Sequence, residues 1–520
     1  MSAPNLDAHA GKHDFGVICA RVRERVRDGT ATLLHTHLPT SAAWVVFAII
    51  MANVAAYILL FSDPIIVQDA WYFLDVFLSH AAHRTLDFSD FFIKRGSLDH
   101  SQPLRKFILL LNWRDFDLDF RIQAIVGLIC AGGSLLLVRY LVIWRDTEHG
   151  NFKAWVWAAI CAVLVSLNST GVWTWPLVAS GFTSYIFLFL LLVCIWNYID
   201  SGLIALPVLS ALMLDFVAGD VAILANIACI LALLFVIVKS STYRRKAIHV
   251  VILLVACILL VRLIYAIAFS VPHAHTLPFA TRFSALLHEF VHGGWWQWIL
   301  IPLGSSIAYL QPHRGLLGND AAILQLALGV AVLVCHGLFW YAACRTKPNA
   351  ATFSAIAMML LFYGLLCGIL YARIPVFGNN YLRQPRYVLM YGFQIVALLL
   401  MAAGFNWKGR LGIHARKVVA VLAVLFVLWQ IPVSMRAWKA GPYIAAYERH
   451  LANQIWWMAD HHYQVPPKCL PELFVCQYPI AKRAELIGLL EHQKKNVFSS
   501  RFQRNNRLYP PPSVETKPAN

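Results

Sequence analysis

The chain has 520 residues, of which 59% are hydrophobic and only 13% are charged, and its formal net charge is +17. This composition, with a mean hydropathy of +0.63, excludes an ordinary soluble globular protein and is typical of an all-α polytopic membrane protein. The basic excess does not indicate a nucleic-acid partner, because the basic residues are distributed as membrane topology requires.

Apolar segments long enough to span a bilayer recur along the chain and predict about eleven transmembrane helices. They cover residues 43–62, 122–143, 154–170, 181–198, 202–217, 221–238, 249–271, 321–343, 352–372, 387–406 and 417–436. A further apolar segment, 295–319, contains Pro302, Gly304 and Pro312 and begins with several tryptophans. We expect it to be interfacial or re-entrant and not to cross. A twelfth span at 295–310 is the alternative.

Positive charge predicts which ends face the cytoplasm, since Lys and Arg are enriched in cytoplasmic loops. Basic residues precede the first span, flank the connection after the second and follow the sixth: Lys12, Arg21, Arg23, Arg25, Arg27, Arg139, Arg145, Lys153, Lys239, Arg244, Arg245 and Lys246. The prediction is a cytoplasmic N-terminal segment (1–40), a membrane domain (41–436) and a C-terminal tail (437–520) on the outer side.

Two cysteines of the tail support the outer location. Cys469 and Cys476 lie close together in a polar segment, whereas the other nine lie near the N-terminus or within or at the ends of spans. A pair this close can form a disulfide, which requires an oxidising compartment. Two free thiols in a cytosolic tail are the alternative.

The first outer loop, residues 63–120, concentrates acids and aromatic residues beside a hydrophobic span. Asp69 opens it, followed by a segment at 69–83 with the pattern of an amphipathic helix. Pro103 is expected to begin a second, interfacial helix with apolar residues at 104, 107, 108 and 111. Because carboxylates are scarce here, several at one membrane face favour chemistry. Ordinary surface acids are the alternative.

Further acids of this face give weaker predictions. Asp115, Asp117 and Asp119 offer alternating oxygens, but a solvated loop explains them more simply. Asp215 and Asp220 lie at the predicted outer turn between the fifth and sixth spans. They either line an outer cavity or belong to a plain helix-end turn.

Three arginines precede the predicted span 387–406 on the outer face. Arg373, Arg383 and Arg386 depart there from the positive-inside tendency. Guanidinium groups bind phosphate in bidentate fashion, so an anionic headgroup or a pyrophosphate-type leaving group is the expected partner. Ion pairing with Asp69 or Asp99 of the first loop is the alternative.

The order of these features resembles bacterial GT-C type glycosyltransferases that use polyprenyl-phosphate sugars. One span, an outer loop opening with an acid, many spans and a late arginine motif carry the resemblance, through Asp69, the stretch 99–104, Arg373, Gly378, Arg386 and Tyr387. It implies a GT-C-like membrane glycosyltransferase of the bacterial inner membrane, with its N-terminus cytoplasmic and its tail periplasmic. Sugar would pass, with inversion, from the lipid-linked donor to a glycan, lipid or other cell-envelope acceptor.

The resemblance also implies roles for individual residues. Asp69 would be the general base, and Asp99 and His100 would orient the acceptor or sugar. The lipid phosphate would be bound by Arg386 and Arg373, with Arg383 and Tyr387 beside them. Further candidates to line the cavity are Gln102, Asp215, Asp220 and Glu289. Asp69 is not followed by a second acid, unlike in metal-dependent members, so no cofactor is assigned and divalent metal use stays open.

Two other classes compete with this interpretation. His288, Glu289 and His292 match the H-E-x-x-H pattern, in which two histidines bind zinc and the glutamate acts as base of a metalloprotease. An interfacial helix with water-facing histidines is the alternative. A transporter or flippase of a lipid or glycan also fits the spans. It favours mid-membrane ionisable residues and internal pseudo-symmetry, whereas the charges here concentrate in outer loops.

Overall fold

The computed structural model describes residues 40–62, 64–93, 102–143, 150–269, 278–309 and 318–505. All regular structure in these ranges is helical, which confirms the predicted all-α class. Nine helices within these ranges are long and apolar enough to cross a membrane. Helices suit this environment because they satisfy every backbone donor and acceptor within one segment. The chain is therefore a multi-pass membrane protein.

The helices follow the predicted spans closely. In chain order they are α1 (Thr40–Phe61), α2 (70–82), α3 (Pro103–Asp115), α4 (Arg121–Ile143), α5 (Gly150–Leu164), α6 (Phe182–Ser201), α7 (Ala205–Ala218), α8 (Asp220–Lys239), α9 (Ser241–Ala268), α10 (Phe279–Glu289), α11 (Trp295–Ser305), α12 (Gly318–Arg345), α13 (Ala350–Phe377), α14 (Tyr387–Gly404), α15 (Gly409–Asp460), α16 (Ile480–His492) and α17 (Ser500–Asn505). Short helices Thr170–Thr174 and Pro176–Ala179 precede α6, and α2 contains a π turn at Leu74–Leu78.

Two of the predicted spans form helices shorter than the other nine, α5 and α7. Helix α5 nevertheless runs along the whole of α14. Phe152 at its start packs against Trp407, beyond the end of α14, with ring centroids 6.4 Å apart. Ser169, after its end, donates a hydrogen bond to the Pro385 carbonyl, just before α14 begins, at 3.1 Å.

Helix α7 likewise runs alongside α9, from one end of that helix to the other. Lys246, near the start of α9, donates to the carbonyl of Ile199 at the end of α6 (2.9 Å), immediately before α7. Phe216, near the end of α7, contacts Tyr265 near the end of α9, with centroids 6.4 Å apart. The chain between α6 and α8 therefore travels from one end of α9 to the other.

Helix α11 leaves and returns to the same face, which agrees with the re-entrant prediction. Trp298, in its first turn, donates its indole N–H to the Asn379 side chain at 2.7 Å. Tyr309, just beyond its end, donates its hydroxyl to the Arg383 carbonyl at 2.7 Å. Both partners belong to one 3-10 turn, Asn379–Arg383. Residues 310–317 of the predicted segment lie outside the described ranges.

A second hydrophobic core lies apart from the core of the transmembrane helices. It joins the first loop to the C-terminal tail, and we call it the outer core after the predicted location of these two segments. Its buried side chains include Trp71, Phe77, Leu109, Leu118, Leu451, Ile455, Leu486 and Val497. Burial of apolar surface at about 25 cal/mol per Å² makes such a shared core the main stabilising term. First loop and tail therefore form one folded unit on one side of the membrane.

Asn496 fastens the loop to the tail at the centre of this unit. Its side-chain amide donates to the carbonyls of Pro64 (2.6 Å) and Leu118 (2.9 Å), and its Oδ1 accepts from the Ile66 N–H (3.1 Å). The backbone N–H of Asn496 donates to the Asp117 carbonyl at 2.7 Å. Asn496 has a φ of +54°, which asparagine tolerates better than most residues. One buried residue thus holds both ends of the first loop.

The acids 115, 117 and 119 are used in ion pairs. Asp115 pairs with Arg114 at 2.9 Å, Asp117 with Lys495 of the tail at 3.1 Å, and Asp119 with Arg121 at 2.8 Å. The prediction of a solvated loop agrees with the exposed Asp115 and the half-buried Asp117, but it is wrong for Asp119, which is buried and ion-paired.

The C-terminal tail begins as a direct continuation of the last transmembrane helix. Helix α15 is 52 residues long, which corresponds to about 78 Å at 1.5 Å per residue, against about 30 Å of hydrocarbon. The predicted boundary at 436/437 falls inside it, so this helix carries the membrane domain directly into the outer core. Cys469 and Cys476 form a disulfide in this core.

Both predicted helices of the first loop are present. Helix α3 begins at Pro103 as expected, and its most buried residues are Lys106, Leu109, Asn112 and Trp113. The predicted apolar face stays half-exposed, with Phe107 48% exposed. Helix α2 is buried through Trp71 and Leu74 in the outer core. Its apolar residues therefore pack on protein, because the tail covers them.

We expect Asn496→Ala to destabilise the outer core by about 2–4 kcal/mol, because three buried backbone groups lose their partner. Pulse proteolysis of the purified protein in detergent, over a urea series, measures this change. Asn406→Ala, at an exposed position, is the matched control and should match wild type. An Asn496 variant as resistant as wild type would contradict the role given to this residue.

Candidate functional site

The connection between α13 and α14, residues 378–386, is called the arginine loop here. Gly378 ends α13 with a φ of +72°, a left-handed conformation that costs glycine little. The 3-10 turn Asn379–Arg383 follows, and α14 begins at Tyr387. This sharp turn puts Arg383 and Arg386 at one end of the helix bundle, beside the segment that precedes α6.

Arg386 lies among three aromatic rings. Its guanidinium carbon is 5.6 Å from the ring of Trp175 and 5.3 Å from each of the rings of Tyr381 and Tyr387. Its Nη2 donates to the Tyr381 hydroxyl. Cation–π contacts hold the charge in place without neutralising it. The arrangement leaves the cation available to an incoming anion.

Two guanidinium groups carry a buried N–H without a protein acceptor. The Nε atoms of Arg383 and Arg386 are both buried and have no hydrogen-bond partner within the described part of the chain. Burial lowers the pKa of the Arg383 guanidinium, with Tyr309 acting in the opposite direction. A buried donor without an acceptor is costly, so an anion bound here would be favoured.

Arg373 and Arg105 extend this cationic region. Arg373 lies in the last turns of α13 and, like Arg386, acts electrostatically on Tyr387. Arg105 comes from α3 of the first loop: a Cβ atom on Gly181, at the start of α6, would lie 3.1 Å from its Nη2. The segment 175–181 therefore touches Arg386 at one end and Arg105 at the other. We call Arg105, Arg373, Arg383 and Arg386 the arginine site.

The sequence interpretation missed several of these residues. The sequence patterns do not indicate Trp175, Tyr381 or Arg105, although Arg105 directly follows the stretch 99–104. Its position next to that stretch is the signal that could have identified Arg105. Trp175 and Tyr381 gave none, because tryptophan and tyrosine are common at membrane interfaces for anchoring alone.

Hydrogen bonds with residues of the neighbouring helices hold the arginine loop in position. Asn379 accepts from the Trp298 indole at 2.7 Å and donates to the Glu289 carboxylate at 2.6 Å. At the other end of the loop, the Arg383 carbonyl accepts from Tyr309. Helices α10 and α11 thus fix both ends of the turn. Glu289, which the sequence predicted to line the cavity, accepts the hydrogen bond from Asn379 and so helps to position the arginine loop.

The first-loop candidates have mixed outcomes. Asp69 is half-buried and precedes α2, and its neighbour Gln68 donates its backbone N–H to the Glu472 carbonyl of the tail at 2.6 Å. Asp99 and His100 lie outside the described residues. Gln102 accepts from Arg105 at 3.1 Å, so it belongs to the edge of the arginine site.

The carboxyl group of Asp215 is inside the bundle, not in an open outer turn. It is buried and accepts from the Asn226 amide of α8 at 2.7 Å. The structure describes the backbone of Asp220, at the start of α8, but not its side chain. Asp215 therefore joins α7 to α8. The described contacts of Asp215 do not include the arginine site, so they do not support its predicted place in the cavity.

The H-E-x-x-H segment changes from α-helix to a π turn between its two histidines. Helix α10 ends at Glu289, and a π turn, Phe290–Gly294, follows. The rings of His288 and His292 stack with centroids 4.0 Å apart, and His292 Nδ1 lies 2.7 Å from the His288 carbonyl oxygen. Within the described residues, no three His, Cys, Asp or Glu side chains form a metal-binding group.

Comparisons of the chain with protein-family models, with curated proteins and with solved structures return no match. Fold and site together define a multi-pass α-helical membrane protein with a cationic, aromatic-lined site at one membrane face.

We expect Asn379→Leu to loosen the arginine loop, because it leaves the Trp298 indole and the Glu289 carboxylate without their shared partner. The loss should be about 1–3 kcal/mol, visible as a lower Tm in detergent. Its neighbour Asn380 is exposed, so Asn380→Leu is the matched control. Equal Tm values for the two variants would count against this role of Asn379.

Proposed function

We propose that this protein is a membrane glycosyltransferase of GT-C type that takes its sugar from a polyprenyl-phosphate donor. The observation that carries the proposal is the arginine site. Arginine is the side chain best suited to bind phosphate, through charge and paired N–H donors. Arg383 and Arg386 each offer a buried Nε without a protein acceptor.

The site is accessible to a lipid because apolar surface continues next to it. Helix α10, which packs beside the outer end of α13 through Arg282 over the Tyr371 ring (5.3 Å), exposes Phe279, Phe283 and Leu287 at a spacing of four residues. Such a row is typical of a helix lying against acyl chains. A donor would have its prenyl chain in the bilayer and its phosphate at the arginines.

In the proposed reaction, an acceptor hydroxyl attacks the anomeric carbon as the bond from that carbon to the phosphate oxygen breaks. Asp69 takes the hydroxyl proton, and the leaving polyprenyl phosphate keeps the bonding electrons. The arginines stabilise the negative charge that develops on the phosphate. Attack from the face opposite the leaving group gives inversion. Tyr387 packs against Arg386 and helps to hold it in place.

We infer eleven crossings, with the first loop and the tail in the periplasm of a bacterium. Helices α5 and α7, each linking opposite ends of a longer helix, support the two additional crossings. The outer core requires an even number of crossings between the first loop and the tail, so α5 and α7 must either both cross or both not cross. The disulfide requires an oxidising compartment, which the periplasm provides.

Arg386→Ala should weaken binding of farnesyl phosphate, used as a short polyprenyl-phosphate probe, by roughly 10- to 100-fold, because a charge-assisted contact worth about 1.5–3 kcal/mol is lost. Calorimetry on the purified protein in detergent measures the affinity. Arg114→Ala is the control, since Arg114 is exposed and pairs with Asp115. Equal affinities for wild type and Arg386→Ala would remove Arg386 from the phosphate site.

Asp69→Asn should lower transfer of radiolabelled sugar from polyprenyl-phosphate donors by about 100-fold or more, while farnesyl phosphate affinity stays at the wild-type level. Asp460→Asn, at an exposed carboxylate at the end of α15, is the control for charge. Full activity of the Asp69 variant would exclude the general-base role. An absence of transfer from every donor tested would favour a transporter instead.

A further inference from the structure

A chain of hydrogen bonds inside the membrane domain connects four helices. The Trp340 indole N–H lies 3.2 Å from the Tyr363 hydroxyl, and this hydroxyl lies 3.0 Å from His336 Nδ1. His336 Nε2 lies 2.8 Å from Gln394 Oε1, and Gln394 Nε2 lies 3.4 Å from the Pro302 carbonyl oxygen. The chain runs from α12 through α13, α12 again and α14 to α11.

With a neutral His336, only one direction of donation satisfies every contact. An indole can only donate and a carbonyl can only accept, so both ends are determined. Tyr363 accepts from Trp340 and donates to His336 Nδ1. His336 therefore has its proton on Nε2 and donates to Gln394 Oε1, which leaves the Gln394 amide N–H for the Pro302 carbonyl. The other tautomer would bring two acceptors together at 2.8 Å.

The last link is an anchor for the re-entrant helix. Pro302 lies in the middle of α11, and both His336 and Gln394 are buried. A second contact acts at the same level: Gln325 Nε2 donates to Ser305 Oγ at 2.6 Å. Gly304 allows the approach, since a Cβ there would lie 2.2 Å from the Gln325 carbonyl oxygen.

The position of α11 is in turn transmitted to the arginine loop. Trp298 holds Asn379 at one end of the 3-10 turn, and Tyr309 holds the Arg383 carbonyl at the other. A shift of α11 must therefore move the turn that carries Arg383 and leads to Arg386. Buried polar networks of this kind specify one arrangement when every member is satisfied.

We propose that His336 and Gln394 are positioning residues for the arginine site. They touch no substrate. They set the depth and rotation of α11, and α11 holds the arginine loop in the shape that binds lipid phosphate. The phosphate part of this inference rests on the proposed function. The control of α11 by the hydrogen-bond chain does not.

The test uses the full-length protein in detergent and three variants: His336→Phe, Gln394→Leu and Tyr363→Phe. The third removes a single hydroxyl and nearly conserves volume, so it remains informative if the other two fold poorly. His249→Phe is the matched control, because His249 also contacts a tyrosine hydroxyl, that of Tyr198 at 3.2 Å, but lies on α9.

Hydrogen–deuterium exchange followed by mass spectrometry reads the position of α11 without any substrate. We expect faster exchange in residues 295–309 and 379–387 in all three variants and wild-type exchange in the control. The double variant His336→Phe with Gln394→Leu should change exchange no more than one single variant does, because both break the same chain. Unchanged exchange at 295–309 in every folded variant would overturn the proposal.

Affinity for farnesyl phosphate is the second readout, with farnesol as the uncharged comparison. We expect about a tenfold loss in the three variants, the size of one broken hydrogen bond, with farnesol binding unchanged. Faster exchange with wild-type phosphate affinity would overturn the positioning role. If the wild type itself binds no farnesyl phosphate, the proposed function fails, and the exchange data still decide whether the chain controls α11.

Discussion

The attachment of the first loop to the tail through Asn496 and the outer core is the constraint on which the rest of the structure depends. Residues more than 370 positions apart meet there, at Pro64, Leu118 and Asn496. Because both segments must emerge on one side, the helices between them must cross an even number of times. When α11 returns to its own side, this requirement is met only if α5 and α7 both cross or both do not cross. The contacts of the outer core therefore constrain the path of the chain through the membrane.

The arginine site depends on that path. A re-entrant α11 is what brings Trp298 and Tyr309 to opposite ends of a five-residue turn, and the early first-loop helix α3 brings Arg105 to the same face. Aromatic rings then surround Arg386 without neutralising it. Within the described part of the chain, the buried Nε atoms of Arg383 and Arg386 have no hydrogen-bond partner, and this is the observation that supports a bound anion.

The sequence predicted those features that have a local physical cause. Span length and hydropathy located the helices, Pro302, Gly304 and the tryptophans predicted that α11 would not cross, and Pro103 marked the start of α3. Close spacing identified Cys469 and Cys476. The outer core and the contact of Trp175 with Arg386 could not be predicted, because their partners are distant in sequence. Asn496 and Trp175 look like ordinary tail and interface residues until the fold brings them to Pro64 and Arg386.

The most direct test of the central claim is a cryo-electron microscopy structure of the protein in lipid nanodiscs with farnesyl phosphate. The account predicts phosphate density within about 3 Å of the guanidinium groups of Arg386 and Arg383, with the prenyl chain leaving towards the bilayer. Phosphate density at the opposite face, or a bound ligand whose phosphate makes no contact with either arginine, would contradict it.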